Sequence, residues 1–473
     1  MAVTEPAPAA PPGAHEAILR RQSLRESAAR TYARSLPIVP VRARGLTIEG
    51  ADGRRYLDCL SGAGTLALGH NHPVVLEAIR TVLDSGAPLH VLDLATPVKD
   101  AFITELFATL PRQLAEHGRI QFCGPAGTDA VEAALKLVRT ATGRTGMLAF
   151  TGAYHGMTAG ALAVSGGGRE AGVTRLPYPH NYRCPYGIGG ERGAELAARW
   201  TESLLDDPKG GLPAPAGMIL EPVQGEGGVI PTPDAWLRRM REITERRSIP
   251  LIADEVQTGV GRTGAFWAVE HSGVVPDVMV LSKAIGGSLP LAVIVYRDDL
   301  DVWEPGAHAG TFRGNQLAMA AGAATLAHVR ENRLADRAAV LGARMLGQLQ
   351  GLAADHPCIG DVRGRGLMIG VELVDPERED LSSGGPPPPA PELAAAVQRA
   401  CLRRGLIVEL GGRHSSVVRL LPPLTLTDEQ AVAVLDRLAD AVAAVSRAPH
   451  ARVKAVAGAG PGAHHRGETG PPH

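Results

Sequence analysis

Two short apolar runs, each ending in a charged side chain, constrain this chain more than any other feature. Val278 to Leu281, within VPDVMVLSKAIGG (275–287), has the composition of a strand buried on both faces. It ends in Ser282-Lys283, and the chain then turns through Gly286-Gly287. Pro250 to Ala253 reads as a second buried strand, ending in Asp254-Glu255-Val256-Gln257. Strands that are apolar throughout need cover on both sides, which points to a parallel sheet between helical layers. A lysine after such a strand is poorly placed for solvation. Burial statistics alone favour a surface lysine at a strand exit. The alternative is an amine made nucleophilic by partial desolvation, which condenses with an aldehyde cofactor. The carboxylate ending the other strand tips the balance to the second reading, because both groups would share one pocket at the carboxyl edge of the sheet. Pyridoxal phosphate uses that pair: a lysine for its aldehyde and an acid facing its pyridine nitrogen.

A chain of 473 residues is too long for one small core and implies two or three subdomains. A formal net charge of −1 provides no global field for nucleic acid or an anionic membrane. The basic pairs Arg238-Arg239 and Arg246-Arg247 are read as solvated helix faces. Cys59, Cys123, Cys184, Cys358 and Cys401 are scattered without metal spacing, which points to reduced thiols in a cytoplasmic protein. The start, MAVTEPAPAAPPGAHEA, has neither the basic nor the apolar region of a signal peptide, and no apolar run is long enough to span a bilayer.

In chain order, residues 1 to about 15 are Ala/Pro-rich and expected to be disordered, and Glu16 to Ala33 is expected to form a polar helix. Leu46 to Leu60 predicts two short strands around Asp52-Gly53. SGAGTLALGHNHP (61–73) follows, with Pro73 opening a helix to about Leu83. His70 and His72 lack further ligands and do not make a metal site. Thr96 is an N-cap candidate for a helix over 97–110, and Ile120 to Phe122 is a short strand. In CGPAGTDAVEAALKLVRTATG, Thr128 is taken as the cap of a helix ended by Gly143, and its Val131, Ala134, Leu135 and Val138 share a face. Small residues before a helix start form an anion site, because free N–H groups converge there. With Lys283 in view, Gly127 and Thr128 are assigned to a cofactor phosphate. Gly259, Gly261 and Gly264 spell G-x-G-x-x-G, but no strand–crevice–helix unit continues from them, so a dinucleotide site is rejected. Asn315 caps a helix from Gln316 to Val329, and helical pattern runs on to about Ala354. Strands are expected over 362–373, 406–410 and 417–421, and helices over 391–404 and 427–445. Residues 382–390 read as a surface loop, and the chain from 448, including His464-His465, as disordered.

Several of these stretches also resemble a known family. IADEVQTGVGRTG, LSKAIGGSLPLA and GTDAVEAALKLVR resemble the class III, or ornithine-aminotransferase-like, pyridoxal-phosphate aminotransferases across residues 36 to 447. SGAGTLALGHNHP, RCPYG (183–187) and GTFRGNQLAMAAGAATL are most similar to the diaminobutyrate–2-oxoglutarate aminotransferases within that group. The resemblance implies that Lys283 carries the cofactor, Asp254 faces its ring nitrogen and Gln257 reaches its ring hydroxyl. It implies further that Tyr154 stacks on the ring with His155 beside it. Gly127 and Thr128 would hold the phosphate, joined by Thr311 from a neighbouring subunit of a homodimer. Glu226, at the exit of an apolar strand over 217–220, would face substrate and pair with Arg419 of VVRLLPPL. Many ornithine-type members have Arg where this chain has Met157, a departure that removes one carboxylate anchor.

The expected architecture is α/β, the type I pyridoxal-phosphate transferase fold: a large domain with a mostly parallel sheet and a smaller α+β domain built from both chain ends. The expected divisions are an arm (1–35), small domain (36–80), large domain (81–324), small domain (325–447) and tail (448–473). The expected activity is transamination between the terminal amine of L-2,4-diaminobutyrate and 2-oxoglutarate, giving aspartate 4-semialdehyde and glutamate. The small-molecule partners are thus an amino donor and a 2-oxo acid. Another omega-aminotransferase of ornithine or 4-aminobutyrate type, or a racemase or aminomutase on the same cofactor, stays open. A non-catalytic protein keeping the fold is disfavoured by the joint presence of Lys283, Asp254 and Gln257.

Overall fold

A computed structural model describes residues 13–378 and 385–447. The expected disordered stretches, apart from residues 13–15, and part of the expected loop at 382–390 lie outside the described residues. Both apolar runs are neighbours in the middle of a seven-stranded sheet. Its spatial order is Gly118–Phe122, Val293–Arg297, Val278–Leu281, Leu251–Asp254, Gly217–Leu220, Met147–Phe150 and Val173–Leu176. From Val278–Leu281 to Val173–Leu176 every pairing is parallel, while Val293–Arg297 runs antiparallel to both of its neighbours.

Alternation within each buried strand sends side chains to opposite layers. Leu148 and Phe150 pack with Met218, Leu220 and Leu251 against the helices Gly190–Asp206 and Asp234–Arg246. Met147, Ala149, Ile219, Ile252, Val278 and Val280 pack on the other face against Gly127–Thr142. Two-sided cover is therefore why these strands read as unbroken apolar runs. The register matters for chemistry: Asp254 lies opposite Val280, and Ala253 opposite Leu220. Glu221, Asp254 and Lys283 therefore emerge at the same carboxyl edge.

The chain ends meet away from this sheet. Pro40–Arg44, Thr47–Gly50 and Arg55–Asp58 form a sheet completed by the C-terminal Leu406–Ile407, parallel to Arg55–Asp58. Ile359–Arg365, Met368–Leu373, Val417–Leu420 and Glu409–Gly411 form a second. One apolar cluster links these to the helices Pro97–Phe107, Gln316–Glu331 and Leu334–Asp355. The positions 80/81 and 324/325 fall inside continuous helices, Pro73–Asp84 and Gln316–Glu331.

Three expectations need correction, and one strand was not expected. The N-terminal helix is Ala14–Arg25, short of Ala33, because none of its residues is buried to extend it. Thr128 lies inside the helix Gly127–Thr142, whose start is instead tied by Asp129 accepting the Ala126 N–H at 3.0 Å. The run 406–410 is split between two sheets, Leu406–Ile407 and Glu409–Gly411. Val173–Leu176 was passed over because, at the sheet edge, only Leu176 is fully buried and the alternation is weak. Asn315 and Thr96 cap their helices as expected, accepting from Ala318 N–H at 3.0 Å and Lys99 N–H at 3.1 Å.

Candidate active site

The carboxyl edge of the central sheet opens into a cavity of about 280 Å³. Gly127, Thr128, Tyr154, His155, Glu226, Asp254, Gln257 and Lys283 all line it. Eight positions named from sequence thus converge on one space, and Arg419 stands directly behind it. A larger depression of about 860 Å³ lies over Ala43, Arg44 and the helix from Pro73, but it collects no comparable set of catalytic groups.

Lys283 begins a short 3₁₀ turn with φ 53°. This left-handed conformation is costly for a residue with a Cβ, and such outliers concentrate at functional sites. It turns the lysine back across the end of its strand rather than outward. Burial pushes its ammonium pKa down, opposed by Glu226 and Asp254. A depressed amine pKa is what nucleophilic use requires.

Asp254 is 4% exposed. Its Oδ2 accepts from His155 Nδ1 at 2.7 Å and its Oδ1 from the Val256 N–H at 3.0 Å. Burial works against a charged His155, but the bond to Asp254 outweighs it and raises the imidazole pKa. Glu221 sits beneath, accepting from the Tyr154 N–H and the Gly225 N–H, each at 2.9 Å. Burial pushes Glu221 up to about 7.

The phosphate end is shaped by close approach. At Gly127 a Cβ would lie 3.0 Å from Val256 Cγ1, and at Gly156, with φ 125°, it would collide with Thr128 Oγ1. Thr128 Oγ1 lies 2.7 Å from Thr158 Oγ1 and accepts from the Thr158 N–H at 3.2 Å. These glycines let Val256 and Thr128 pack closely, and the start of the helix Gly127–Thr142 lines the cavity through Ala126, Gly127 and Thr128.

Gln257 bridges two regions. Its Nε2 donates to the Ala63 carbonyl at 3.0 Å, and its Oε1 accepts from Arg419 Nη1 at 3.4 Å. Arg419 is fully buried, and its Nη2 donates to Glu226 Oε1 at 2.7 Å. The same Nη2 lies 2.5 Å from Glu409 Oε2, a contact missed from sequence. The signal was a charge inside LIVEL, an otherwise apolar strand. Thr311 does not line the cavity; it is exposed in a turn, its carbonyl accepting from His90 Nε2 at 2.9 Å. His70 is held by Asp58 Oδ2 at 2.8 Å and His72 packs on His328. Gly259, Gly261 and Gly264 admit Trp267, Leu424 and Ala339 respectively at close range, a packing use.

A half-buried amine and a buried acid lining one cavity with a helix start fit the aldehyde, ring nitrogen and phosphate of pyridoxal phosphate. The family model of class III aminotransferases matches residues 28–442. This chain belongs to that family. Class III aminotransferases are pyridoxal-phosphate enzymes of fold type I, and the mostly parallel central sheet of this one agrees. It is 56% identical to the diaminobutyrate–2-oxoglutarate aminotransferase of Rhizobium meliloti, over 90% of this chain and 91% of the relative. It is 48% identical to the enzyme of the same name from Haemophilus influenzae, over 90% and 94%. Among solved structures, an amine transaminase from an uncultivated Pseudomonas species, in its pyridoxal-phosphate-bound form, superposes with a TM-score of 0.77 at 32% identity, covering 89% of this aminotransferase and 98% of that one. An omega-transaminase of Thermomicrobium roseum superposes with a TM-score of 0.80 at 28% identity, covering 91% and 98%.

Proposed function

We propose that this aminotransferase moves the terminal amine of L-2,4-diaminobutyrate to 2-oxoglutarate, yielding aspartate 4-semialdehyde and glutamate. The observation that carries the reading is the shared cavity lined by a half-buried Lys283 and a buried Asp254, with Arg419 held behind Glu226. The similarity to diaminobutyrate–2-oxoglutarate aminotransferases supports the choice of substrate.

When bound, pyridoxal phosphate supplies an electron-accepting ring and an aldehyde. Lys283 Nζ would hold it covalently and, when free, would carry a proton to and from the substrate carbon. Asp254, its orientation fixed by His155 and the Val256 N–H, would hold the ring nitrogen. The Gly127 and Thr128 N–H groups would hold the phosphate, Tyr154 would cover the ring and Gln257 would bind the ring hydroxyl. Glu226 covers Arg419 while the diamine is bound and swings aside when a dicarboxylate needs the guanidinium.

Thr311 is exposed and outside the cavity of its own chain, which supports a homodimer in which it completes the partner's phosphate site. Among the described residues no helix is long and apolar enough to cross a membrane. All five cysteines are free, which supports a cytoplasmic protein. Diaminobutyrate alone should bleach the visible cofactor absorbance once and stop, and 2-oxoglutarate should restore it with equimolar glutamate. Continued turnover with one amino acid alone would instead indicate racemase or aminomutase chemistry.

A further inference from the structure

Arg419 carries more negative charge around it than a simple two-residue switch requires. Its Nη2 is shared by Glu226 Oε1 at 2.7 Å and Glu409 Oε2 at 2.5 Å, and the two carboxylates differ in every other respect. Glu226 lines the cavity, and its side chain keeps about a third of its exposure. Glu409 does not line it, is nearly buried, and sits directly opposite Arg419 in paired antiparallel strands. The Glu226 contact is an aligned hydrogen bond. Glu409 Oε2 is instead buried without a hydrogen-bond partner, as is Arg419 Nε, although the ion pair is short. A carboxylate placed to fix the guanidinium by geometry would be aligned with its N–H groups. This one contributes charge. Being locked into the sheet, it stays when Glu226 leaves.

We propose that Glu409 is a specificity-determining residue, the standing counter-charge of Arg419 that weights the site toward a cationic amino substrate over a dicarboxylate. The proposal rests on the transamination reading above and names what sets its substrate balance. With Glu226 in place, two carboxylates face one guanidinium, and an ammonium-bearing substrate meets excess negative charge. With Glu226 displaced, Glu409 still neutralises Arg419. The guanidinium then never becomes a bare cation, and a dicarboxylate is held more loosely than one arginine alone would hold it. Tyr32 belongs to the same group: burial raises the Glu409 carboxyl pKa, and Arg419 and, more weakly, the Tyr32 hydroxyl oppose that shift.

The test compares the holoenzyme with its Glu409→Gln variant by two measurements. Calorimetric binding of glutarate, a dicarboxylate that cannot react, should tighten about tenfold in Glu409→Gln, while the apparent affinity for diaminobutyrate in single-turnover absorbance should weaken by a similar factor. Glu409→Asp keeps the charge and should behave as the parent. Should Glu409→Gln fail to fold, Tyr32→Phe removes the hydroxyl that favours the charged carboxylate and should shift both affinities in the same directions, more weakly. Unchanged glutarate affinity, or both affinities falling together as a merely structural role would make them, overturns the proposal. A parent enzyme that binds glutarate but ignores diaminobutyrate would refute the proposed substrate instead, and the glutarate comparison would still decide the role of Glu409.

Discussion

Asp254 Oδ2 and His155 Nδ1 are 2.7 Å apart in a setting where the histidine side chain is fully buried and the aspartate nearly so. Ninety-nine positions separate them in the chain. With the Val256 N–H on the other oxygen, the bond fixes the carboxylate plane, and it raises the pKa of an imidazole that burial alone would lower. His155 Nε2 is left without a hydrogen-bond partner. An electrostatic group works best when it need not reorganise during reaction, and this pair supplies that rigidity.

Asp254→Ala should therefore lower kcat by about 10²-fold or more while cofactor content falls far less. The cofactor would still be held by Lys283 and the phosphate site. Steady-state kinetics with absorbance-based cofactor counting separates the two quantities. An effect confined to KM would mark Asp254 as a structural carboxylate.

Lys283→Ala should abolish turnover and the visible absorbance of the purified protein, because it removes both the tether and the proton carrier. The substitution also relieves a buried cationic group and a left-handed backbone site only in part, since Ala at φ 53° remains strained. Full activity in this variant would end the assignment.

How much of this was legible follows from where the groups sit. Asp254 and Lys283 stand at the ends of strands buried on both faces, and a charge ending such a run is visible without knowing the fold. Gly127 and Gly156 frame a helix start, which small residues announce. Glu409 was not legible in its role. Within LIVEL the charge stands out from an otherwise apolar run, but only the register with Arg419 reveals that it faces a buried guanidinium. The bond between His155 and Asp254 depends on how two strands lie in the sheet, which neither local pattern encodes. The helix expected over 16–33 is cut short for the opposite reason: helical composition is present, but no residue of Ala14–Arg25 is fully buried to prolong it.

Glu255, next to the catalytic acid, offers a stability test independent of activity. It is 2% exposed, bonded to the Thr258 hydroxyl and to the Val269 N–H at 2.9 Å, and burial pushes its pKa from 4.5 up to about 7. A raised carboxylate pKa means that the folded state holds the proton more tightly than the unfolded one. The stabilisation is fully present below about 4.5 and is lost as pH rises through about 7. Glu255→Gln keeps an acceptor for Val269 and a donor toward Thr258 without the ionisation. Relative to the parent it should gain stability between pH 5 and pH 8, by on the order of a few kcal/mol. Urea midpoints for both proteins at the two pH values measure this, and parallel pH profiles would show that Glu255 does not titrate in that window.

The last prediction concerns how one cavity serves two unlike substrates. Arg419 is buried and bonded to Glu226 and Gln257, both of which line the cavity, so a ligand carboxylate is expected to reach its Nη2 by displacing Glu226. A diamine has no reason to do so, because its ammonium end is attracted by Glu226 where it stands. Glu226→Ala should chiefly slow the half-reaction with diaminobutyrate, since the carboxylate that faces the ammonium from the cavity wall would be gone. Arg419→Ala should chiefly slow the half-reaction with glutamate or 2-oxoglutarate, by about 2–5 kcal/mol for the lost carboxylate pair. That variant also strands Glu409, so Arg419→Gln, which retains donors toward both carboxylates, is the better-folded comparison. Single-turnover absorbance with each substrate in turn resolves the two halves. Equal slowing of both halves in both variants would show that the pair is structural, and substrate exchange would then require another explanation.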